Sequence, residues 1–198
     1  MSDKTIVLDG DGVVFDYRKA YPAVWKAAFG TEISMIEPNA YHAHTAHGVK
    51  FENPDHEAQF FEHFNEEAWA TMPLMEGAAE ACSLLVGCGY KLVIVSSMNP
   101  KFEEARLSNC KLHGLPISAV FAVKRTGLGN PKLPILHALQ PVALVDDLMD
   151  NFEGLQPSIH SAFISYGRFD CPSRGHNLLA DSTHGSLLDF ACFWTDPK

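Results

Sequence analysis

The chain has 198 residues, of which 46% are hydrophobic and 20% charged, a balance that supports one globular domain, with or without a smaller insertion, and excludes a disordered polymer. Its formal net charge of −9, with 15 lysines and arginines scattered along the chain, argues against a nucleic-acid duplex as partner. No apolar run approaches the ~18 residues that a membrane span requires.

Thr5 to Leu8 is an apolar, largely β-branched run and predicts a strand buried on both faces. It stops at Asp9-Gly10-Asp11-Gly12, where two carboxylates stand two residues apart. Their repulsion is costly wherever water is scarce, unless a cation or a proton relieves it. The glycines let the backbone turn tightly and approach a ligand closely. Taken alone, the segment reads equally well as an acidic turn.

Tyr17–Phe29 has helical spacing, with Ala20, Val24, Ala27 and Ala28 near one stripe, Pro22 expected in the first turn and Gly30 as the stop. Residues 31–53 are irregular and contain Tyr41-His42-Ala43-His44-Thr45-Ala46-His47-Gly48. This H-x-H-x-x-H run reads mainly as a loop or local packing, with substrate contact or a transition metal as lesser alternatives. Asn53-Pro54 opens a long amphipathic helix predicted through about residue 71, with Phe60, Phe61, Phe64, Ala68 and Trp69 as its apolar members. Trp25, Phe29, Phe51 and Trp69 read as packing rather than as a base-stacking surface. No strand is predicted over 17–72, so this stretch reads as a helical insertion, with 1–16 and 73–198 forming the main domain.

From Pro73 helices and strands alternate. Helices are predicted over 76–86, 101–112 and 133–139, from about 148, and near 186–193. Strands are predicted over 91–95, 119–123, 142–145 and 161–166. The alternation specifies an α/β fold, a doubly wound parallel sheet with helices on both faces. The five cysteines, Cys82, Cys88, Cys110, Cys171 and Cys192, are odd in number and show no C-x-x-C spacing. They point to small core side chains rather than to disulfides or zinc ligands. With an opening segment that has neither the basic nor the apolar part of a secretory signal, this predicts a cytoplasmic protein.

Three apolar strands end on polar clusters: Asp9-Gly10-Asp11, Ser96-Ser97 and Asp146-Asp147. In a parallel sheet all three open onto one edge, where ligands bind. Four carboxylates cannot remain ionised together without a counter-charge, and an all-oxygen set suits Mg²⁺, which keeps some waters and a substrate phosphate oxygen.

The order of these motifs resembles the haloacid-dehalogenase-like hydrolases, a Rossmann-like α/β core with a small α-helical cap. The resemblance rests on Asp9-x-Asp11-Gly12-Val13 after the first strand, Ser96 after a second, Pro131-Lys132-Leu133-Pro134, and Val145-Asp146-Asp147-x-x-x-Asn151 after a later one. It spans nearly the whole chain and places 17–72 in the first cap position. It implies that Asp9 is the nucleophile, forming an aspartyl-phosphate, and that Asp11 is the general acid and base. An aspartate at 11 implies phosphate chemistry, because the dehalogenase branch lacks that acid. Ser96, Lys132 and Gly10 would hold the phosphoryl group, and Asp9, Asp11, Asp147 and Asp146 the metal, Asp146 in direct contact or just behind. Lys124 is the rival to Lys132, whose Pro-Lys-Leu-Pro setting departs from the family's K-P-x-P.

The implied activity is a Mg²⁺-dependent phosphatase for a small phosphorylated metabolite: a sugar phosphate, phosphoglycolate or a nucleotide. A phosphomutase would use the same residues. A receiver-like signalling domain also combines aspartates, a hydroxyl and a lysine, but there the acidic pair comes first. Arg18, Lys19, Arg125 and Arg168 are candidate contacts for the distal part of a substrate, and oligomeric state is not legible.

Overall fold

The computed structural model describes residues 4–127, 129–167, 169–173 and 180–196; Arg168 lies outside them. Strand β1 (Lys4–Leu8) is central, because its apolar run has no polar face to give to water. It pairs in parallel with β2 (Tyr90–Ser97) on one side and with β4 (Ala143–Asp146) on the other. With β3 (Ile117–Val123), β5 (His160–Ile164) and β6 (Ser182–His184), the sheet has the order β3-β2-β1-β4-β5-β6, every pair parallel. The chain winds outward from β1 to β3, then returns to the centre at β4 and winds the other way. The reversal therefore falls between β1 and β4, and it opens a crevice at their carboxyl ends.

Successive residues of each strand face opposite layers. Ile6, Leu8, Leu92, Ile94, Val145 and Ile164 pack with Ala81 and Leu85 of α5 (Ala78–Gly87), Cys110 of α6 (Glu103–Leu112) and Phe190 of α8 (Leu187–Thr195). Val7, Val93, Val95, Leu144 and Phe163 face the other way, onto Leu136 of α7 (Leu133–Leu139) and Phe152. Cys82 and Cys110 are buried as small core side chains, whereas Cys88 and Cys192 are exposed.

Residues 17–72 hold four helices: α1 (Tyr17–Phe29), α2 (Ala43–Ala46), α3 (Pro54–His63) and α4 (Glu66–Ala70). The two connections to the sheet run side by side, with Asp16 N donating to Pro73 O at 2.8 Å and Met75 N to Val14 O at 2.9 Å. The long helix predicted over 54–71 is two helices, broken at Phe64 and Asn65. Asn65 accepts from the amides of Glu67 and Ala68 and so opens α4. In one continuous helix Phe64 and Trp69 would diverge by about 140°. The break brings their rings to 4.9 Å and lets Phe64 stack on Tyr17 at 4.8 Å.

Pro22 sits in the second turn of α1 rather than the first. A proline there leaves the carbonyl four residues back without its helical donor. That carbonyl belongs to Arg18, and it accepts instead from Nε2 of His47 at 2.9 Å. His47 is buried and stacks on Tyr21, with ring centroids 5.8 Å apart. It is a packing residue, as the loop reading expected. Beyond Pro73, the helix predicted from 148 is a single 3₁₀ turn (Met149–Phe152), and the short edge strand β6 was not predicted.

Candidate active site

The loop that leaves β1 turns at Asp9 to Gly12 over the crevice. Asp9 is buried, its amide donating to Val145 O at 2.8 Å, so the β1–β4 ladder fixes its backbone. Gly10 lies directly against the end of β2: a Cβ there would stand 2.9 Å from Ser96 Oγ. Only a glycine lets the hydroxyl sit so near the loop. Ser96 is buried, whereas Ser97 points to solvent, so the structure brings only the first of the two hydroxyls to the site. At Gly12 the backbone is left-handed (φ +86°), and a Cβ would collide with the Asp147 carboxylate. Both glycines are thus required by geometry, as the sequence reading expected of this turn.

Lys132 is fully buried at the start of α7, and its Nζ donates to Asp9 Oδ1 and, at 2.6 Å, to Asp146 Oδ2. Its amide donates to Asn130 Oδ1 at 2.9 Å, and Asn130 in turn donates to Asn151 O. Lys124 is exposed, so Lys132 is the lysine that the fold brings to Asp9. Burial alone would lower the Lys132 ammonium, but Asp146 and Asp9 outweigh it and hold it above its ordinary range. Burial, reinforced by the charges of Asp146 and Asp11, pushes the Asp9 carboxyl up to about 7 against the pull of Lys132.

The paired aspartates after β4 separate in role. Asp146 is saturated: Oδ1 accepts from Leu148 N at 2.9 Å, Asn151 Nδ2 donates to both oxygens at 2.9 and 3.0 Å, and Lys132 takes Oδ2. It anchors its neighbours from behind. Asp147 is buried, faces Gly12 and lines the cavity above the crevice. One oxygen each from Asp9, Asp146 and Asp147 lie within 4.8 Å of one another. Among the described residues, three buried acids share the cation Lys132, which leaves an excess of negative charge, so the donor set fits a hard divalent cation. Asp9 and Asp147 would hold such an ion, with Asp146 behind them. The side chain of Asp11 is not in this group, and none of His42, His44 and His47 joins it. Asp11 Oδ1 accepts instead from Arg106 Nη2 at 2.5 Å.

A cavity of roughly 270 Å³ connects this rim to residues 17–72. Asp11, Gly12 and Asp147 form its floor; Tyr17, Tyr21, Phe51, Phe61, His42 and His44 are among its walls. Burial and the neighbouring His42 lower the His44 imidazole. Burial and the nearby Asp147 push the Tyr41 phenol far above its ordinary value, so it stays protonated. Arg18 reaches the cavity but is tied to the carbonyls of Pro38 and Ala40, at 2.8 and 3.2 Å. Arg125 donates to Asn151 Oδ1 at 3.0 Å, and Lys19 lies 3.6 Å from Asp16.

No protein-family model matches this sequence, and no curated protein does. Solved structures match along nearly the whole chain. A haloacid dehalogenase-like family hydrolase from Streptococcus pneumoniae superposes with a TM-score of 0.65 at 12% identity, covering 98% of this chain and 99% of that one. The fold is that of the haloacid-dehalogenase-like hydrolases. Another structure with that fold, a family hydrolase from Deinococcus radiodurans with bound phosphate and sodium, gives 0.62 at 15% identity, over 97% of this chain and 95% of that one. An L-2-haloacid dehalogenase from Xanthobacter autotrophicus, with chloropropionic acid covalently bound, gives 0.61 at 13%, over 98% and 100%. Phosphate-bound and dehalogenating proteins thus share the haloacid-dehalogenase-like architecture seen here.

Sequence reasoning passed over three residues of the site. Arg106 is fully buried beside Asp11, Tyr41 stands near Asp147, and Tyr166 donates its hydroxyl to Gly12 O. For Arg106 a signal existed. It lies on the same helical stripe as Asn109 and Cys110, and a cation on a buried stripe requires a partner. Tyr41 and Tyr166 are ordinary loop tyrosines in the sequence, and nothing local sets them apart.

Proposed function

We propose that this chain is a hydrolase that cleaves small phosphomonoesters through an aspartyl-phosphate on Asp9, with Mg²⁺ as its cofactor. The observation that carries the proposal is Asp11: a second carboxyl, two residues past the proposed nucleophile, lines the cavity beside Gly12 and Asp147. A departing alkoxide needs a proton, whereas a departing halide does not. An acid at this place therefore serves ester chemistry and is idle in a dehalogenase. The phosphate bound in the Deinococcus structure supports the same direction.

In the reaction Asp9 Oδ attacks phosphorus, the ester P–O bond breaks, and the leaving oxygen takes the proton of Asp11. Asp11, now a carboxylate, takes a proton from water as that water attacks the aspartyl-phosphate, which releases inorganic phosphate and frees Asp9. Lys132 and Ser96 offset charge on the phosphoryl oxygens and keep Asp9 aimed at phosphorus. Bound Mg²⁺ would supply further charge neutralisation between the phosphoryl group and the aspartates. Residues 17–72 act as a cap that keeps bulk water from the site. The aromatic walls of the cavity favour a leaving group with a ring, a sugar or a nucleoside, over phosphoglycolate.

The test is phosphate release from a panel of phosphorylated sugars, nucleotides and phosphoglycolate, with Mg²⁺ and with EDTA, beside Asp9→Asn. Mg²⁺-dependent release that the variant abolishes supports the reading. Equal turnover by the variant removes Asp9 from its role, and transfer to a second substrate without net phosphate release would make the chain a mutase.

A further inference from the structure

We propose that Arg106 is a positioning residue for Asp11, holding the carboxyl that serves the leaving oxygen without itself touching substrate. The inference rests on the phosphatase reading above. Arg106 lies on α6, outside every motif named so far, and is fully buried. Its guanidinium carbon stands 4.4 Å from the centre of the Phe15 ring and 4.8 Å from that of Trp69. Nη2 donates to Asp11 Oδ1 at 2.5 Å and Nη1 contacts Met72 Sδ at 3.4 Å, while Nε has no partner.

Burying a guanidinium is costly, and an apolar side chain of like size often serves packing as well or better. Packing alone therefore does not account for a cation here with one nitrogen unsatisfied. Held between two rings, the planar fork cannot swing. It pins one oxygen of a carboxyl that otherwise sits in a loop between two glycines, Gly10 and Gly12. The Asp11 side chain nonetheless remains 26% exposed and lines the cavity. One oxygen is thus fixed while the carboxyl stays open to the leaving group. Phe15 comes from the loop after β1, and Trp69 and Met72 from the end of residues 17–72. Arg106 thereby ties the orientation of Asp11 to the seating of that segment on α6.

The experiment compares single-turnover cleavage of two esters by excess enzyme. Nitrophenolate leaves p-nitrophenyl phosphate without a proton; the alkoxide of benzyl phosphate requires one. Arg106→Met is expected to release nitrophenolate within about threefold of the wild type but benzyl alcohol at least about 30 times more slowly, short of the ~10²–10⁴-fold of a complete general-acid effect because Asp11 itself remains. Asp11→Asn should lose more on benzyl phosphate than on p-nitrophenyl phosphate, and the double variant should be no slower than Asp11→Asn alone on either ester. Arg106→Lys, a point charge without the fork, should fall between wild type and Arg106→Met on benzyl phosphate only, and it answers the question if the methionine variant does not fold. Equal losses on both esters, a further loss in the double variant, or an unchanged benzyl rate would each overturn the proposal. Failure of the phosphatase reading looks different: the wild-type chain would then cleave neither ester in an Asp9-dependent way, and the proposal would fall with it.

Discussion

The rim of the sheet and the segment that covers it hold together by different physics. At the rim, Asp9, Asp146, Asp147 and Lys132 are buried charges, each placed by a strand end or helix start. Residues 17–72 cohere through rings: Tyr21, Trp25, Phe51, Phe60 and Phe64 contact one another within about 6 Å. Charges cannot be moved far without cost, whereas an aromatic cluster tolerates exchange and repacking. Under the proposed function chemistry falls to the first region and shape to the second, and variants in the two should separate accordingly.

The largest effect is expected from Asp9→Asn, which should lower phosphate release by about 10⁴-fold or more, because it removes the carboxylate proposed to attack phosphorus. Stopped-flow or discontinuous phosphate assays measure it, and the fold should survive. Next comes Lys132→Met. Asp9 and Asp146 lose their shared cation, and urea unfolding in EDTA should show a loss of about 3–5 kcal/mol. Saturating Mg²⁺ should recover more stability in this variant than in the wild type, because the ion meets a larger uncompensated charge.

His47→Leu breaks the comparison on the other side. The carbonyl of Arg18, which Pro22 leaves without its helical donor, loses its partner, at a cost of about 1–3 kcal/mol. Here Mg²⁺ should add no more than it adds to the wild type. The smallest signal is in pH. The Asp9 carboxyl is raised from 3.8 to about 7 by burial, so its contribution is complete below the unfolded value and is lost as pH rises through about 7. In EDTA, the stability of the wild type minus that of Asp9→Asn should decline across that window. A flat difference would mean that Asp9 is not buried among acids.

The sheet and the rim were legible in the sequence because their cause is local. A buried parallel strand reads as an unbroken apolar run, and its end is marked by the first polar residue, as at Leu8-Asp9, Val95-Ser96 and Val145-Asp146. Lys132 was legible through its place beside Pro131, although choosing it over Lys124 took the fold. Residues 17–72 were harder to read, since their order depends on partners far along the chain. Asn65 caps a helix where the apolar period runs on without a break, and His47 completes a helix begun thirty residues earlier. Arg106 escaped notice because a cation in a helix reads as solvent-facing until its stripe is seen to be the buried one.

The central claim is that phosphorus becomes bonded to Asp9. Quenching the enzyme during turnover of p-nitrophenyl phosphate with Mg²⁺ and reducing with borohydride converts an aspartyl-phosphate to homoserine, which peptide mass spectrometry locates. Homoserine at position 9, absent when substrate is omitted, is the predicted result. Phosphate release with an unmodified Asp9, or modification at another residue instead, would contradict it.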